Sequence, residues 1–170
     1  MLAGRSGGAG APKRVCSADG VGDRGRRAAG YRLCLEDAYR ISFDVPEDAV
    51  VSAFSENGAA TVYEQADGDY EITAQVLLSS DADGAIRRLS GFDPEQLEVL
   101  NTRRCGLPES QFAWYATGEE GGRLCRADIL RDGDHCYALT FSVREELAPQ
   151  YAELAQHVFE SFSLNADKDF

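Results

Sequence analysis

The fold is decided by the stretch Asp134-His135-Cys136-Tyr137-Ala138-Leu139-Thr140-Phe141-Ser142-Val143, which runs into a second segment ending at Ser161-Phe162. The quoted residues alternate and are rich in aromatic side chains, a pattern typical of a β-strand. The second segment predicts an amphipathic helix whose first turn holds Pro149, where the missing amide hydrogen costs nothing. Its apolar stripe consists of Leu147, Tyr151, Leu154, Ala155, Val158, Phe159 and Phe162.

Two more strands are predicted just upstream, at residues 111–116 and 123–130. They are joined by Gly118-Glu119-Glu120-Gly121, and the second is joined to the last strand by Asp132-Gly133, a favoured two-residue hairpin loop. These loops predict that Trp114 faces Cys125 and that Ile129 faces Cys136.

This pairing makes both faces of the predicted sheet apolar. One face carries Phe112, Trp114, Cys125, Ala127, Ile129, Cys136 and Ala138, and the other carries Ala113, Tyr115, Leu124, Leu130, Tyr137, Leu139 and Phe141. A sheet of this kind needs a cover on each side. The final helix covers one side, and a short helix at residues 85–89, opened by Asp81, covers the other with the long loops.

The first half of the chain adds further strands. They are predicted at residues 31–35, 39–45, 60–65 and 70–78, with a strand also favoured within residues 97–104. Pro46 ends the second of them because it has no amide hydrogen for the ladder. The fold class is therefore α+β, a central antiparallel sheet of about six to seven strands with helices packed on both faces in an α/β/α sandwich.

Length and charge predict a single acidic domain. Residues 31–164 form it, residues 1–30 are a Gly/Ala/Arg-rich tail expected to be disordered, and residues 165–170 are a frayed C-terminus. The whole chain carries −12 and the tail +4, so the remaining 140 residues carry −16. Such a body repels phosphate backbones, and we expect no nucleic-acid partner.

The hydropathy of the chain and the composition of its N-terminal residues predict its cellular location. No window approaches the roughly 18 consecutive apolar residues of a transmembrane helix, and residues 1–30 lack the apolar core of a signal peptide. As written, the chain is expected in the cytoplasm, whereas a misassigned start would hide a leader.

The pattern resembles the PsbP-like fold family, which includes Mog-type Ran-binding proteins, LpqN-type lipoproteins and DcrB-like bacterial proteins. The matching features are the strand Tyr39-Arg40-Ile41-Ser42-Phe43-Asp44-Val45 ending at Pro46, and the strand Tyr137-Ala138-Leu139-Thr140-Phe141 followed by a helix ending at Ser161-Phe162. The resemblance covers residues 31–164. It implies an antiparallel sheet between helices, non-catalytic protein or ligand binding, and an extracytoplasmic or lipid-anchored location. Cys34 follows Tyr31-Arg32-Leu33, which is not a lipoprotein cleavage site.

Catalytic candidates are few. A thiol enzyme would use Cys105, Cys125 or Cys136 with His135 or His157 as base. His135 and Cys136 are consecutive in a strand and point to opposite faces. Cys125 and Cys136 share a face but are offset by four residues, about 13 Å, which excludes a disulfide between them. We therefore interpret these thiols as buried and structural, and His157 as a residue at the helix boundary.

Carboxylates and aromatic residues have ordinary structural interpretations. Asp67, Asp69, Asp81 and Asp83 lack the spacing of a calcium loop and are predicted to serve turns and caps. The helix acids Glu145, Glu146, Glu153 and Glu160 are predicted to form a solvated face. Trp114, Tyr115 and Tyr137 are assigned to core packing rather than to a ligand groove.

The sequence thus predicts a non-enzymatic binding module, an adaptor or envelope-associated protein, with no catalytic residues, metal site or cofactor. Its partner is expected to be a protein or a small apolar ligand, and the binding residues are unknown. The alternatives are a thiol-dependent enzyme and a structural envelope lipoprotein whose leader is missing here.

Overall fold

We describe the fold from a computed structural model, which defines residues 30–36, 40–55, 59–119 and 121–165. Within those ranges the chain forms ten strands, two α-helices and two short 3-10 turns. The strands are β1 (Tyr31–Glu36), β2 (Ile41–Pro46), β3 (Ala49–Phe54), β4 (Ala60–Gln65), β5 (Tyr70–Leu78), β6 (Leu100–Arg104), β7 (Leu107–Gly118), β8 (Gly121–Asp132), β9 (His135–Arg144) and β10 (Ser163–Leu164). The helices are α1 (Ala82–Ser90) and α2 (Ala152–Glu160), and the 3-10 turns are Pro94–Gln96 and Glu145–Leu147.

The strands form two antiparallel sheets. The main sheet has seven strands in the order β3-β4-β5-β9-β8-β7-β6, and the smaller sheet has the order β10-β2-β1. The predicted central antiparallel sheet of six to seven strands is confirmed. β9 lies at its centre and contributes to both core clusters, with Tyr137, Leu139 and Phe141 on one side and Cys136 and Ala138 on the other.

The larger core cluster lies between the main sheet, the small sheet and α2. Val158 and Phe159 of α2, together with Phe162 just after it, are buried against it. The rest of the predicted helix stripe is partly buried against the same cluster, namely Leu147, Tyr151, Leu154 and Ala155. The 3.6-residue apolar period therefore identified the buried side of α2 correctly.

A second cluster occupies the opposite face of the main sheet. Ala85 and Ile86 of α1 contribute to it, and Leu97 and Val99 of the following loop pack against it. Its sheet residues include the whole predicted first face, Phe112, Trp114, Cys125, Ala127, Ile129, Cys136 and Ala138. Asp81 caps α1 by accepting a hydrogen bond from the backbone N–H of Gly84 at 2.6 Å.

The hairpin registers were predicted with one error. Trp114 pairs with Cys125 as expected. In the last hairpin, however, Ile129 pairs with Ala138 and not with Cys136. The loop is Gly133-Asp134 because Gly133 adopts the positive φ of 63° that the first loop position requires. The shift is two residues, an even number, so each side chain keeps its predicted face.

Three further elements differ from prediction. β3 was not predicted, although its residues pair along β4 with a bulge at Ser52. The final helix is shorter than expected, because the residues before it form three-residue turns, such as Gln150 N–H to the carbonyl of Leu147 at 3.0 Å, and α2 begins only at Ala152. β10 follows α2 and pairs with β2, which adds the small sheet. Predictions for residues 1–29 and 166–170 lie outside the described residues.

The Ser161-Phe162 end of α2 has a defined packing role. Ser161 Oγ donates to the carbonyl of Val158 at 2.7 Å and accepts from the backbone N–H of Asp44 at 2.8 Å. Phe162 is fully enclosed in the larger core cluster. The dipeptide therefore closes the helix and fixes it to β2.

Candidate functional site

Among the residues that the structure describes, none covers one half of the main sheet on the face that α1 shares. Cross-strand pairing places nine side chains there, on β3, β4, β5 and β9: Val50, Ala53, Val62, Glu64, Glu71, Thr73, Gln75, Thr140 and Ser142. All nine are at least partly exposed, whereas the residues that continue these rows on β8 and β7 are buried below α1. We call this surface the open half.

The open half ends at the edge strand β3, which is apolar and exposed. Val50 is 58% exposed, Val51 53% and Phe54 74%. Val50 and Ala53 face the open half, while Val51 and Phe54 lie on the other side of the sheet. Edge strands are usually protected by charge, proline or a β-bulge. This strand carries no charged residue and no proline, and its one irregularity is the bulge at Ser52.

The segment that contributes β2 to β5 is acidic in sequence, while one cation, Arg123 of β8, reaches the open half and donates from Nε to Ser142 Oγ at 2.7 Å. Between Arg40 and Arg87 there is no lysine or arginine, and this segment contains ten acidic residues: Asp44, Glu47, Asp48, Glu56, Glu64, Asp67, Asp69, Glu71, Asp81 and Asp83. Asp69 is neutralised from outside the segment, because Arg144 Nη2 lies 2.6 Å from its carboxylate. The hydrogen bond from Tyr151, followed by that from Arg144, holds the pKa of Asp69 below its usual range.

The described thiols are poor nucleophiles. Cys125 Sγ contacts Ser142 Oγ at 3.5 Å, and Cys136 Sγ contacts the carbonyl of Ser79 at 3.5 Å. Burial raises the pKa of both thiols, which disfavours the reactive thiolate. Cys34 is also buried, and its Sγ lies 2.8 Å from the hydroxyl of Tyr63. Cys105 lies in the β6–β7 turn and is not a free thiol.

Pairing also corrects the separation of the two strand thiols. Cys125 faces Ser142, whereas Cys136 faces Arg131. Their offset along β8 is six residues, about 20 Å of strand, and not four. The conclusion that they form no disulfide with each other is confirmed, since both are free.

Neither histidine is placed to serve these thiols. His157 Nε2 lies 2.9 Å from Asp44 Oδ2, and its ring stacks on Tyr31 with the centroids 4.0 Å apart. His135 stacks on Tyr137 at 6.1 Å. The prediction of a boundary position for His157 is confirmed, because it joins α2 to β2 and β1.

A buried ion cluster lies under the end of α2. Arg104 Nε is 2.8 Å from Glu109 Oε2, and Arg104 Nη2 is 3.5 Å from Asp128 Oδ2. Burial, followed by the hydrogen bond and charge of Glu109, raises the pKa of Asp128 to about 8. Arg126 adds a cation above the Phe159 ring, 4.2 Å from its centroid. Asp128 is completely buried and Glu109 is 3% exposed, whereas the Arg104 side chain is 21% exposed, so the carboxylates of the cluster are enclosed and its cation lies at the surface.

The remaining carboxylates have the predicted structural roles. Asp81 is a helix cap, and the four acids predicted on the solvated face, Glu145, Glu146, Glu153 and Glu160, are exposed. In the described part of the chain no group of three or more acidic, histidine or cysteine side chains could hold a metal ion.

The aromatic residues divide between core and surface. Trp114 is buried and stacks on Phe112 with the ring centroids 5.5 Å apart, and Tyr137 is buried below the other face. Their assignment to core packing is confirmed. Tyr115 of β7 is 62% exposed, so its assignment to the core was wrong.

Sequence reasoning missed both the edge strand and the ion cluster. The segment of ten acidic residues without a lysine or arginine was visible in the sequence, and it includes the edge strand β3. Asp128 was also visible as a charge between Ala127 and Ile129 in a strand with two apolar faces. Its partner Arg104 lies on β6, and nothing in the spacing indicates that these residues meet.

Comparison with known structures identifies the fold of this chain. No protein-family model matches the chain, and no curated protein matches it in sequence. Cyanobacterial PsbP (CyanoP) from Synechocystis sp. PCC 6803 superposes with a TM-score of 0.60 at 11% identity, over 82% of this chain and 95% of that one. A protein from Bacteroides thetaiotaomicron VPI-5482 gives 0.55 at 12% identity, over 82% of this chain and 49% of that one.

LpqN of Mycobacterium tuberculosis, described as involved in cell envelope biogenesis, gives 0.47 at 15% identity, over 79% of this chain and 90% of that one. The predicted resemblance is confirmed at the level of structure: the chain has the PsbP-like fold. The likeness to Mog-type and DcrB-like proteins stays a prediction. In the described ranges, no helix has the length and apolar character needed to cross a membrane.

Proposed function

We propose that this chain is a non-catalytic accessory module that holds a partner protein on the open half and the adjoining edge strand β3. The observation that carries the proposal is the exposure of Val50, Val51 and Phe54 on an edge strand without a charged residue. Exposed apolar residues at an open sheet edge are a recognised template for pairing with another chain. The helices complete the fold of the module by covering the remaining parts of both sheet faces.

The chemistry of the described residues supports a binding role over a catalytic one. Cys125 and Cys136 are buried thiols with raised pKa values, and the hydrogen-bond partners of their sulfur atoms are oxygens and not histidine nitrogens. The carboxylates of the strongest titratable cluster, around Asp128, are enclosed. The partly exposed His157–Asp44 pair lies at the α2–β2 contact, away from the residues of the open half.

The test is site-specific photo-crosslinking in the native organism. A photoreactive residue at Val50 or Ala53 is expected to give one discrete adduct that excess unmodified protein displaces. The same residue at Glu153, which is exposed on α2, is the matched control and should give none. Equal adducts from both surfaces, or turnover that a single Cys125 or Cys136 substitution abolishes, would contradict the proposal.

Location is a separate proposal. An extracytoplasmic or lipid-anchored site rests on the family resemblance, and the intact mass of the native protein from membrane and soluble fractions tests it. A membrane-bound species with a different N-terminus supports an envelope role. A soluble species that retains Met1 or Leu2 contradicts it.

A further inference from the structure

We infer that β3 binds its partner by strand addition, and that the added segment is an extended peptide with lysine or arginine between apolar residues. This inference rests on the proposed function and specifies how the partner is recognised. Backbone pairing, side-chain contact and charge each support it.

The backbone of β3 directs some of its pairing groups away from β4. The N–H of Ser55 donates to the carbonyl of Ala60 at 2.9 Å, so this pair is hydrogen-bonded across β3 and β4. In an antiparallel ladder such pairs alternate with pairs whose backbone groups point away. Phe54, which faces Thr61, therefore directs its N–H and carbonyl away from β4 and toward an incoming strand.

The side chains of β3 are apolar on both sides of the sheet. Val50 and Ala53 face the open half, and Val51 and Phe54 face the other side. A strand laid along this edge places alternate side chains beside each pair, because successive residues point to opposite faces. Its apolar residues would cover surfaces that are now 53–74% exposed at Val50, Val51 and Phe54.

The charge around β3 selects a cationic segment. Glu47 and Asp48 are exposed immediately before the strand, and Glu64 lies directly opposite Val50 on β4. Glu71 continues the same row on β5. Arg32 at this end directs its guanidinium to the carbonyl of Ala49 at 2.6 Å, and the Asp48 carboxylate accepts a hydrogen bond from the uncharged hydroxyl of Tyr70 at 2.6 Å. A second copy of this edge would bring acid against acid, whereas lysine or arginine would be attracted.

The probe is a synthetic eight-residue peptide of alternating lysine and valine with a fluorescent label, and binding is followed by anisotropy. Two matched peptides are compared with it. One has glutamate in place of every lysine, and the other keeps the lysines but has proline at two central valines, so it has equal charge and cannot pair as a strand. We expect the parent peptide to bind at least tenfold more tightly than either.

Two variant pairs locate the binding on β3. Val50→Lys and Val50→Glu remove the same apolar contact but differ in charge, so Val50→Lys should weaken binding at least tenfold more than Val50→Glu. Phe54→Ala keeps the outward N–H and Phe54→Pro removes it, so the proline variant should bind several-fold more weakly. A comparison of Glu64→Lys with Glu64→Gln repeats the charge test on β4, where the substitution does not alter the backbone of the edge strand. Binding is compared only for variants whose urea unfolding midpoint equals that of the wild-type protein.

Several results would overturn the inference. Equal affinity for the proline-containing peptide would show charge attraction without strand pairing, and equal effects of Val50→Lys and Val50→Glu would remove the cationic requirement. A sedimenting dimer that Phe54→Pro abolishes would identify a second copy as the occupant. If crosslinks from Val50 form in cells while no peptide discriminates, the binding function stands and strand addition fails. If neither is observed, both fail.

Discussion

Arg104 Nε lies 2.8 Å from Glu109 Oε2, and the Glu109 side chain is only 3% exposed. The same guanidinium donates from Nη1 to the carbonyls of Phe159 at 2.6 Å and Phe162 at 2.8 Å. One side chain thus neutralises a buried carboxylate and donates hydrogen bonds to carbonyl groups at the C-terminal end of α2. It joins β6 and β7 to α2 across the larger core.

Replacing Arg104 should therefore destabilise the domain strongly. Arg104→Ala leaves Glu109 buried without its cation, and we expect a loss of about 3–5 kcal/mol in the free energy of unfolding. Urea unfolding measures it. Arg103→Ala, an exposed neighbour on the same strand, is the control and should change stability by less than about 0.5 kcal/mol. A loss below about 1 kcal/mol for Arg104→Ala would show that the ion pair does not hold the helix.

Asp128 should make stability fall as pH rises. Its pKa in the folded state is about 8 against an ordinary value of 3.8, so the folded protein binds more protons between these values. Its contribution is complete below pH 4 and lost as pH rises toward 8, with a slope of at most about 1.4 kcal/mol per pH unit. Asp128→Asn should flatten this decline and raise stability at pH 8 relative to wild type. Urea midpoints from pH 4 to 9 test this, with Asp134→Asn in the exposed loop as the control.

Phe162 and Phe54 offer a matched test of burial. Phe162 is 1% exposed in the larger core and Phe54 is 74% exposed on the edge. Phe162→Ala should cost about 3–5 kcal/mol through lost burial and a cavity, and Phe54→Ala should cost less than about 0.5 kcal/mol. Thermal or urea unfolding compares them. Similar costs for both would mean that a partner or a second copy buries Phe54 in solution.

The thiols Cys34, Cys125 and Cys136 should be protected in the native protein. Each is buried, and burial raises the pKa of Cys125 and Cys136. We expect maleimide labelling at pH 7 to be at least about 100-fold slower than in urea, because a buried protonated thiol neither meets the reagent nor attacks it. Mass spectrometry of the labelled peptides assigns each site. If one of these thiols reacted in the folded protein as fast as it does in urea, the result would support the alternative of a thiol-dependent enzyme.

Local sequence patterns predicted those elements of the fold that depend on residues close together in the chain. The alternation of the Asp134–Val143 stretch, the apolar stripe of α2 and the Asp81 cap were all readable, since each depends on neighbours within a few residues. The error in the β8–β9 hairpin concerned the position of Gly133 in the loop. Gly133 was predicted as the second loop residue, but with its φ of 63° it is the first. The faces stayed correct because the shift was even.

The sequence by itself determined which residues share a face of a strand or helix, since the side-chain period sorts them before any long-range contact forms. It also determined the acidic character of residues 41–86. Only the tertiary structure decided that β3 is an edge, that β10 returns to β2, and that Arg104 meets Glu109 and Asp128. These facts depend on strand order and on contacts between distant segments, because periodicity defines the faces of a strand but not its neighbours.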